Sequence, residues 1–388
     1  MTKGLGRLAA AAPALLFAAA TLGAEEVVRE SISTEYESIR LVKVADNLEH
    51  PWGIAFLPDG RLLVTERDGR LNIIEDGEAT EVDGVPTVRA VNQGGLMDVV
   101  LHPDFESNGW VYLTWSMPDQ EGAAATQETA TAMGRGRLEG NALVDFETLF
   151  VQDRFSSPGR HYGSRIAWAH DGTLYLSIGD RGASPPRAQD LGDHAGTLLR
   201  LNDDGTVPED NPFVGQEDVQ PEIFSYGHRN IQGIIVHPDT GAIWVTEHGP
   251  RGGDELNLVE AGNNYGWPDV TNGLDYRTQE QFGNSVRHPV EGTTPPQIDW
   301  TPSLAPSGLA YVPEDSAFES WQGNLLAGGL RPREIRRIHF IDGEPVHQER
   351  LLHQEIGRIR DVRTGPDGNF YVATDNGDDA IYRIELAD

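Results

Sequence analysis

Short apolar segments separated by turn residues recur along the whole chain, and they have the length of strands rather than helices. The clearest case is "SRIAW", a turn at "AHDG" and then "TLYLSI", which predicts an antiparallel hairpin. Five other segments repeat this order of apolar strand, turn and apolar or aromatic strand. The six turn acids are Asp59, Asp104, Asp171, Asp239, Asp315 and Asp367. No long amphipathic helix is evident, so the pattern predicts an all-β protein.

The sixfold recurrence of this hairpin is the main clue to architecture. Uneven spacing between the copies indicates insertions around a common unit. Repeated units of a few short strands are typical of a β-propeller, which here has six blades. A two-sheet sandwich is the alternative, but it does not predict a sixfold repeat. Because no interdomain linker is evident, we expect residues 25–388 to form one six-bladed propeller.

The first 24 residues have the composition of a secretory signal peptide. Lys3 and Arg7 precede an apolar run from Leu8 to Leu22, and small residues follow at Gly23 and Ala24. We therefore expect cleavage after Ala24 and an exported, periplasmic protein. An uncleaved membrane anchor is the open alternative. No later apolar run is long enough to span a membrane, so the mature chain is expected not to insert into one.

Charge and cysteine content narrow the classes of partner and chemistry. The chain carries 61 acidic and 30 basic residues, a formal net charge of −31, and the acids are dispersed. Nucleic acids and anionic membranes are therefore not expected as partners. There is no cysteine, which excludes disulfides, thiolate metal sites and cysteine nucleophiles. An anionic ligand would need a local cluster of arginines to overcome the overall negative field.

One hairpin carries a histidine before its first strand and an acid after its second. His161 and Asp180 lie at similar distances from the turn, so an antiparallel pair brings them to the same end of the sheet. His161 would then be a proton acceptor and Asp180 the group that fixes its tautomer. A polar bridge between strand ends, without any chemistry, is the alternative. His228 and His248 are weaker candidates for the acceptor.

Equivalent positions in other repeats carry further polar groups. Because equivalent positions in a propeller share one face, these groups are expected to converge near the axis on a single concave site. They include the amides Gln93 and Asn230 and four arginines, Arg229, Arg331, Arg358 and Arg360. Any one arginine could simply pair with a neighbouring acid, as Arg360 with Asp361. Together the four favour a ligand that carries several carboxylates.

The segment "EHGPRGGDELNLVEAGNNYGWP" has features of a hard-cation site. Glu255 offers a carboxylate, and the Gly- and Asn-rich turns free backbone carbonyls, which are the oxygen ligands that Ca²⁺ prefers. A long polar loop without a metal is the alternative.

Taken together, the motifs resemble those of soluble, calcium-dependent pyrroloquinoline quinone (PQQ) sugar dehydrogenases, most closely the aldose sugar dehydrogenase branch. The resemblance covers about residues 50–385. Its marks are "NQGGLMDVVLHPDF", "RHYGSRIAW…LYLSIGDRG", "SYGHRNIQG", "EHGPRGGDELN", "NNYGWP", "APSGLAYV" and "GRIRDV". The family fold is a six-bladed propeller, in agreement with the repeat count.

The resemblance also implies roles for individual residues. His161 falls on the catalytic base, Asp180 on its partner and Arg229 on the group that polarises the quinone carbonyl. The cofactor-binding positions are Gln93, His161, Arg229, Asn230, Arg331, Arg358 and Arg360. The carbonyls of Gly249 and Pro250 match ligands of the calcium that touches the cofactor, whereas Glu255, the Tyr265 carbonyl and Tyr276 match ligands of a further calcium.

This chain departs from the family at Arg331, where a lysine is usual. Arginine keeps the charge but changes shape and reach, so we expect cofactor binding to survive with altered geometry or affinity. The loops are shorter than in the glucose-specific branch, and a monomer or weak dimer is expected.

The resemblance implies oxidation of an aldose at C1 to a lactone, with hydride transfer to PQQ and reoxidation by an external electron acceptor. The alternatives are a calcium-dependent propeller lactonase and a non-catalytic propeller that binds glycans or proteins.

Overall fold

The computed structural model describes residues 25–120 and 128–387, and nearly all of its regular structure is β-strand. The predicted signal segment, residues 1–24, lies outside the described residues. In chain order the strands are β1 (Glu26–Ser33), β2 (Ser38–Leu48), β3 (Pro51–Phe56), β4 (Leu62–Glu66), β5 (Arg70–Glu75), β6 (Glu78–Glu81), β7 (Leu96–Leu101), β8 (Trp110–Pro118), β9 (Thr129–Glu139), β10 (Ala142–Val151), β11 (Ile166–Trp168), β12 (Leu174–Ile178), β13 (Thr197–Leu201), β14 (Ile223–Tyr226), β15 (Ile231–Val236), β16 (Ile243–Glu247), β17 (Asp254–Val259), β18 (Ile298–Trp300), β19 (Pro306–Tyr311), β20 (Leu325–Gly329), β21 (Glu334–Ile341), β22 (Glu344–Leu351), β23 (Ile359–Thr364), β24 (Phe370–Thr374) and β25 (Asp379–Leu386).

These strands form six antiparallel sheets, which are the six blades of a β-propeller, so the predicted fold class is confirmed. Five blades are simple meanders of four consecutive strands: β3–β6, β7–β10, β11–β14, β15–β18 and β19–β22. Each predicted hairpin is the first pair of strands of its blade. In the second and fifth blades the connection within the hairpin contains a short helix, at Phe105–Asn108 and Glu319–Trp321. A further 3₁₀ helix spans Pro185–Gln189.

The sixth blade closes the ring by joining the two ends of the described chain. It contains β23, β24 and β25, and β2 pairs antiparallel with β25 from Ile39 opposite Leu386 to Leu48 opposite Asp379. Strand β1 adds a fifth strand outside β2. Closure by strands from both ends leaves no gap between the last blade and the first, and β1 is the outer edge strand of the sixth blade.

Apolar side chains hold neighbouring blades together. Six clusters of buried side chains correspond to the six interfaces between blades. Successive residues of a strand point to opposite faces, so one strand supplies two interfaces. In β4, Leu62 and Val64 pack toward the sixth blade, whereas Leu63 packs toward the second. This explains why the inner strands are continuously apolar rather than alternating.

A network of charges links the innermost strands near the axis. The Arg165 guanidinium lies 3.1 Å from a carboxylate oxygen of Asp98 and 3.0 Å from one of Asp361. Arg363 pairs with the same two acids at 2.6 and 2.9 Å. Arg165 also lies over the ring of Trp52, 4.0 Å from its centroid. The two positive and two negative groups thus join the second, third and sixth blades, and the contact of Arg165 with Trp52 adds the first.

Within the described ranges, no helix has the length and apolar character needed to cross a membrane.

Candidate active site

Two neighbouring cavities open near the axis at one face of the ring. The axial cavity, of about 220 Å³, is lined by Gln93, Asn230, Arg358 and Arg360 together with Trp52, Arg67, Met97, Tyr162, Gly163, Gln232, His248, Ala305, Leu330 and Asp375. The second cavity, of about 480 Å³, is lined by Gln93, His161, Asp180, Arg229 and Tyr276 together with Arg160, Gly182, Pro185, His248, Trp267, Asp275, Arg277 and Phe282. Gln93 and His248 belong to both walls, so the two cavities share a boundary.

His161 and Asp180 form a buried hydrogen-bonded pair, as the hairpin predicts. Nδ1 of His161 lies 2.6 Å from Oδ1 of Asp180. Asp180 Oδ2 accepts a hydrogen bond of 2.8 Å from the Trp267 indole, and Oδ1 accepts one of 2.7 Å from the Gly182 amide. Asp180 is therefore held on both oxygens, and it fixes the imidazole so that Nε2 is the nitrogen left for chemistry.

The backbone around His161 is fixed by neighbouring blades. The His161 amide donates to Oε1 of Gln93 over 2.8 Å, and the Gly163 amide donates to Oδ1 of Asn230 over 3.0 Å. His161 has a φ of +52°, a left-handed conformation that costs energy for a non-glycine residue. Gly179 allows the backbone of His161 to lie close to it, because a Cβ on Gly179 would lie 2.1 Å from the His161 carbonyl oxygen. Such enforced geometry is a common feature of functional sites.

Electrostatics keep His161 neutral. Burial, and secondly the positive charge of Arg229, lower the pKa of His161 to about 4. Burial alone would raise the pKa of Asp180, but His161, Arg229 and the Trp267 indole outweigh it, so the carboxyl stays below its ordinary value. An imidazole that is neutral at physiological pH and hydrogen-bonded to an ionised carboxylate can accept a proton.

Arg229 is a buried guanidinium that no carboxylate neutralises. Its side chain is 8 % exposed, donates to the His248 carbonyl over 3.2 Å and lies over the Trp267 ring, 5.3 Å from its centroid. Among the described residues, no acid lies within ion-pair distance of it, and its Nε has no hydrogen-bond partner. A buried cation in this condition favours an anionic ligand in the adjacent cavity.

The other three predicted arginines have different surroundings. Arg360 pairs with Asp375 at 2.6 Å and Arg358 with the same oxygen at 3.2 Å. Although burial works in the opposite direction, Arg360, His50 and Arg358 hold the pKa of Asp375 well below its ordinary value. Asp361, considered from sequence as a partner of Arg360, instead binds Arg165 and Arg363. Arg331 is exposed and lines neither cavity, although Leu330 beside it lines the axial one.

A third, narrow cleft beside Arg229 contains three of the five predicted metal ligands. It is lined by Gly249, Glu255 and Tyr265 together with Gly227, Arg229, Glu247, His248, Gly253, Trp267, Val270 and Thr271. Burial, and secondly the charge of Glu247, raise the pKa of Glu255 well above its ordinary value. Asn257 Nδ2 donates to both carboxylates, over 3.0 Å to Glu247 and 3.1 Å to Glu255. Two crowded buried carboxylates favour a bound cation.

The backbone carbonyls of this cleft fit the same interpretation. Those of Gly249 and Tyr265 accept no hydrogen bond from any residue that the structure describes. The Pro250 carbonyl accepts one of 3.1 Å from the Tyr276 hydroxyl. Tyr276 is 61 % exposed and lines the second cavity rather than the Glu255 cleft. The donor set near Glu255 therefore fits a cation, whereas Tyr276 lies elsewhere.

Sequence reasoning missed several residues of the site. Trp267 holds Asp180, Glu247 accompanies Glu255, and Asp375 pairs with two of the arginines. The positional rule that identified Asp180, a polar residue following the second strand of a hairpin, also selects Asp375. His248, treated from sequence only as a weak proton acceptor, separates the two cavities, and burial and Arg229 lower its pKa to about 3.

A buried, oriented His–Asp pair and an unpaired arginine at the mouth of a six-bladed propeller define an enzyme-like site. Comparisons with known proteins are consistent with it. The family model for glucose / sorbosone dehydrogenase matches residues 48–383. The chain is 39 % identical to the aldose sugar dehydrogenase YliI of Escherichia coli over 356 residues, which cover 89 % of this chain and 93 % of that protein.

Solved structures agree with this match. The crystal structure of the soluble aldose sugar dehydrogenase from E. coli in the apo-form aligns with a TM-score of 0.84 and 38 % identity, covering 90 % of this chain and 99 % of that one. The PQQ-bound form of aldose sugar dehydrogenase from Streptomyces coelicolor aligns with a TM-score of 0.73 and 29 % identity, covering 91 % and 100 %. The chain belongs to the glucose/sorbosone dehydrogenase family, and the resemblance noted from its motifs is confirmed.

Proposed function

We propose that this protein oxidises aldose sugars at C1 to lactones, using bound PQQ as hydride acceptor and calcium as a bound cation. The observation that carries the proposal is Arg229, a buried guanidinium without an acidic partner, beside a neutral, oriented imidazole. Family membership and the PQQ-bound relative from S. coelicolor support the cofactor.

The residues present fit an anionic quinone. Arg229 offers an unpaired Nε, and Arg358 and Arg360 line the axial cavity with Gln93 and Asn230. We infer that the three guanidinium groups hold carboxylates of the cofactor, with Arg331 as a further candidate at the rim. When bound, PQQ supplies an electrophilic carbonyl that accepts a hydride. The carbonyls of Gly249 and Pro250 are the proposed ligands of one calcium, and Glu255 and the Tyr265 carbonyl are the proposed ligands of a second. Tyr276, which the resemblance adds to the second site, lines the other cavity and is not proposed as a ligand there.

The chain's own groups account for the proton in this reaction. Nε2 of His161 takes the proton from the anomeric hydroxyl of the sugar, and Asp180 stabilises the imidazolium that forms. The C1–H bond breaks with its electron pair leaving as hydride, and the C1–O bond becomes the carbonyl of the lactone. Arg229 would stabilise negative charge that develops on a hydride acceptor bound in the adjacent cavity. Repeated turnover would require an external electron acceptor.

Two other features of the proposal concern the protein outside its site. The proposed export to the periplasm rests on the signal-peptide composition of residues 1–24. We expect a monomer or weak dimer, because the resemblance implies shorter loops than in the glucose-specific branch.

The proposal is tested by reconstituting the purified protein with PQQ and Ca²⁺ and measuring aldose-dependent dye reduction. We expect reduction that requires quinone, cation and sugar together, and a lactone as product. A lactonase would instead hydrolyse lactones with Ca²⁺ alone, and a binding propeller would show neither activity. Either of those outcomes would overturn the proposal.

A further inference from the structure

A buried imidazole, that of His288, lies beside the Glu255 cleft. The side chain of His288 is 5 % exposed, and its Nε2 lies 3.8 Å from Oε1 of Glu255, whose side chain is 9 % exposed. Neither ring nitrogen of His288 has a hydrogen-bond partner among the described residues. A buried polar group without a partner costs about 1–3 kcal/mol. The imidazole therefore needs a partner in this cleft.

The position of the ring places it beside the other proposed donors. A Cβ built on Gly266 would lie 3.6 Å from Cε1 of His288, so the ring lies next to the Tyr265–Gly266 backbone. The Tyr265 carbonyl accepts no hydrogen bond from the described residues. Three possible donors of different kinds therefore belong to this part of the fourth blade: a carboxylate of Glu255, the carbonyl of Tyr265 and Nε2 of His288.

Neighbouring groups make a cation the best partner for this ring. Glu247 is joined to Glu255 through Asn257, so the cleft holds two carboxylates. Among the described residues, the cleft lining contains one positively charged side chain, Arg229. The two carboxylates would balance the charge of a divalent cation. The neutral imidazole could then donate its lone pair to that cation without adding charge to the cleft. First-row transition ions accept imidazole, and among them Mn²⁺ also suits carboxylate and carbonyl oxygen, whereas Ca²⁺ takes oxygen ligands.

We propose that Nε2 of His288 is a ligand of the cation held by Glu255 and the Tyr265 carbonyl, and that this nitrogen lets the site bind a first-row transition ion such as Mn²⁺ as well as Ca²⁺. The inference rests on the cation site proposed above. It adds a ligand and a metal preference, and it does not depend on the sugar or on the quinone.

A coordinated His288 would also connect two parts of the fourth blade. Glu255 belongs to β17, whereas His288 lies in the long connection between β17 and β18. A cation bound by both should stabilise the folded chain in proportion to its concentration. Metal binding can therefore be followed by thermal unfolding as well as by spectroscopy.

The test uses the full mature chain, stripped of metal by a chelator and kept free of quinone. Mn²⁺ is titrated into the wild type, His288→Gln, His288→Phe and the control His170→Gln, whose histidine is exposed in a turn. We expect ¹⁴N coupling in the pulsed electron paramagnetic resonance spectrum of Mn²⁺ bound to the wild type and to His170→Gln, and its loss in both His288 variants. The affinity for Mn²⁺ should fall by about 10–100-fold, whereas that for Ca²⁺ should change much less.

Metal-free unfolding curves that resemble the wild type would show that the His288 variants fold. Bound Mn²⁺ without ¹⁴N coupling in the wild type, or equal Mn²⁺ affinity in both His288 variants, would overturn the role of His288. A Glu255→Gln variant distinguishes failure of the proposed cation site from failure of the proposed sugar oxidation. If Mn²⁺ binding is unchanged by Glu255→Gln, the cation site itself is wrong. If Mn²⁺ binds as expected but dye reduction fails, only the proposed reaction is wrong.

Discussion

Two groups of buried charges lie near the axis of the ring, and they differ in how the charges are balanced. In the inner network, Asp98 and Asp361 each pair with both Arg165 and Arg363, so positive and negative charges match. At the mouth, Arg229 has no acid within ion-pair distance among the described residues. The inner charges are joined in direct ion pairs that link blades, whereas the Arg229 guanidinium makes no direct ion pair and remains available to the anionic ligand proposed above.

The two groups come from different segments of the chain. Asp98, Asp361 and Arg363 lie within the innermost strands β7 and β23, and Arg165 directly precedes β11. His161 and Asp180 instead flank a hairpin, beyond its strand ends. Position relative to the strand end does not by itself separate the groups, because Arg360 lies within β23 and still lines the axial cavity.

The largest expected effect is on catalysis at the mouth. His161→Gln keeps a side chain that can hydrogen-bond Asp180 but removes the proton acceptor, and we expect turnover to fall by about 10²–10⁴-fold. Quinone binding should stay nearly unchanged, because the arginines remain. Steady-state kinetics of reconstituted protein measure this, with His170→Gln as the control. Unchanged turnover in His161→Gln would remove the general-base role.

The next effect concerns the balanced network. Arg165→Met leaves Asp98 and Asp361 with one arginine in place of two, and we expect the free energy of unfolding to fall by about 3–5 kcal/mol. Denaturant unfolding measures this loss. The control Arg61→Met breaks a solvent-exposed pair with Asp59 and should cost only about 0–1 kcal/mol. Equal losses in the two variants would contradict the structural role assigned to the network.

A third effect is the acid sensitivity that His248 gives to the fold. In the folded protein the pKa of His248 is lowered to about 3, against an ordinary value of 6.5. Between these values the unfolded chain binds a proton that the folded chain does not, so His248 makes the protein less stable as pH falls. Below pH 6.5, the free energy of unfolding of the wild type should fall by about 1.4 kcal/mol per pH unit relative to that of His248→Gln.

Denaturant unfolding from pH 8 to pH 4 measures that difference between the two proteins. Between neutral pH and pH 4, the free energy of unfolding of the wild type should fall by about 3 kcal/mol more than that of His248→Gln. Parallel curves for wild type and His248→Gln would mean that the imidazole is accessible to protons in the folded state.

The smallest expected effect concerns the orientation of the His–Asp pair. Trp267→Phe removes the indole donor to Asp180, and we expect kcat/KM to fall about tenfold, equivalent to about 1.4 kcal/mol. The matched control is Trp300→Phe, which removes an indole hydrogen bond of 2.7 Å to Gln348, a residue that lines neither cavity. That control should lose stability but keep kcat/KM. Similar kcat/KM losses in the two variants would assign Trp267 a purely structural role.

Much of the fold could be predicted from sequence because each blade repeats a local signal. The six hairpins are encoded by neighbouring residues, so the inner two strands of every blade were found. Closure of the ring was not predicted, since pairing of Ile39 with Leu386 joins distant segments that carry no turn signal. Strands β6 and β22, with mostly exposed or half-buried residues, lack the apolar pattern of the inner strands.

The site shows the same division between local and distant information. The flanking positions of one hairpin predicted the His161–Asp180 pair, which the structure contains. Asp361, which the sequence offered only as an alternative partner of Arg360, binds Arg165 and Arg363 instead, and Arg360 pairs with Asp375. Trp267 was missed as a partner of Asp180, since it comes from the connection after β17, far along the chain. The roles of the remaining predicted residues are still predictions.

The central claim is that the unpaired charge of Arg229 makes the mouth a site for an anionic quinone. A titration of PQQ into wild type and Arg229→Gln, in the presence of Ca²⁺ and followed by binding calorimetry, tests it most directly. The account predicts one-to-one binding to the wild type and a loss of affinity in Arg229→Gln of about 10–100-fold, the weight of a charge-assisted hydrogen bond. Equal affinity in both proteins, or no binding to the wild type, would contradict it.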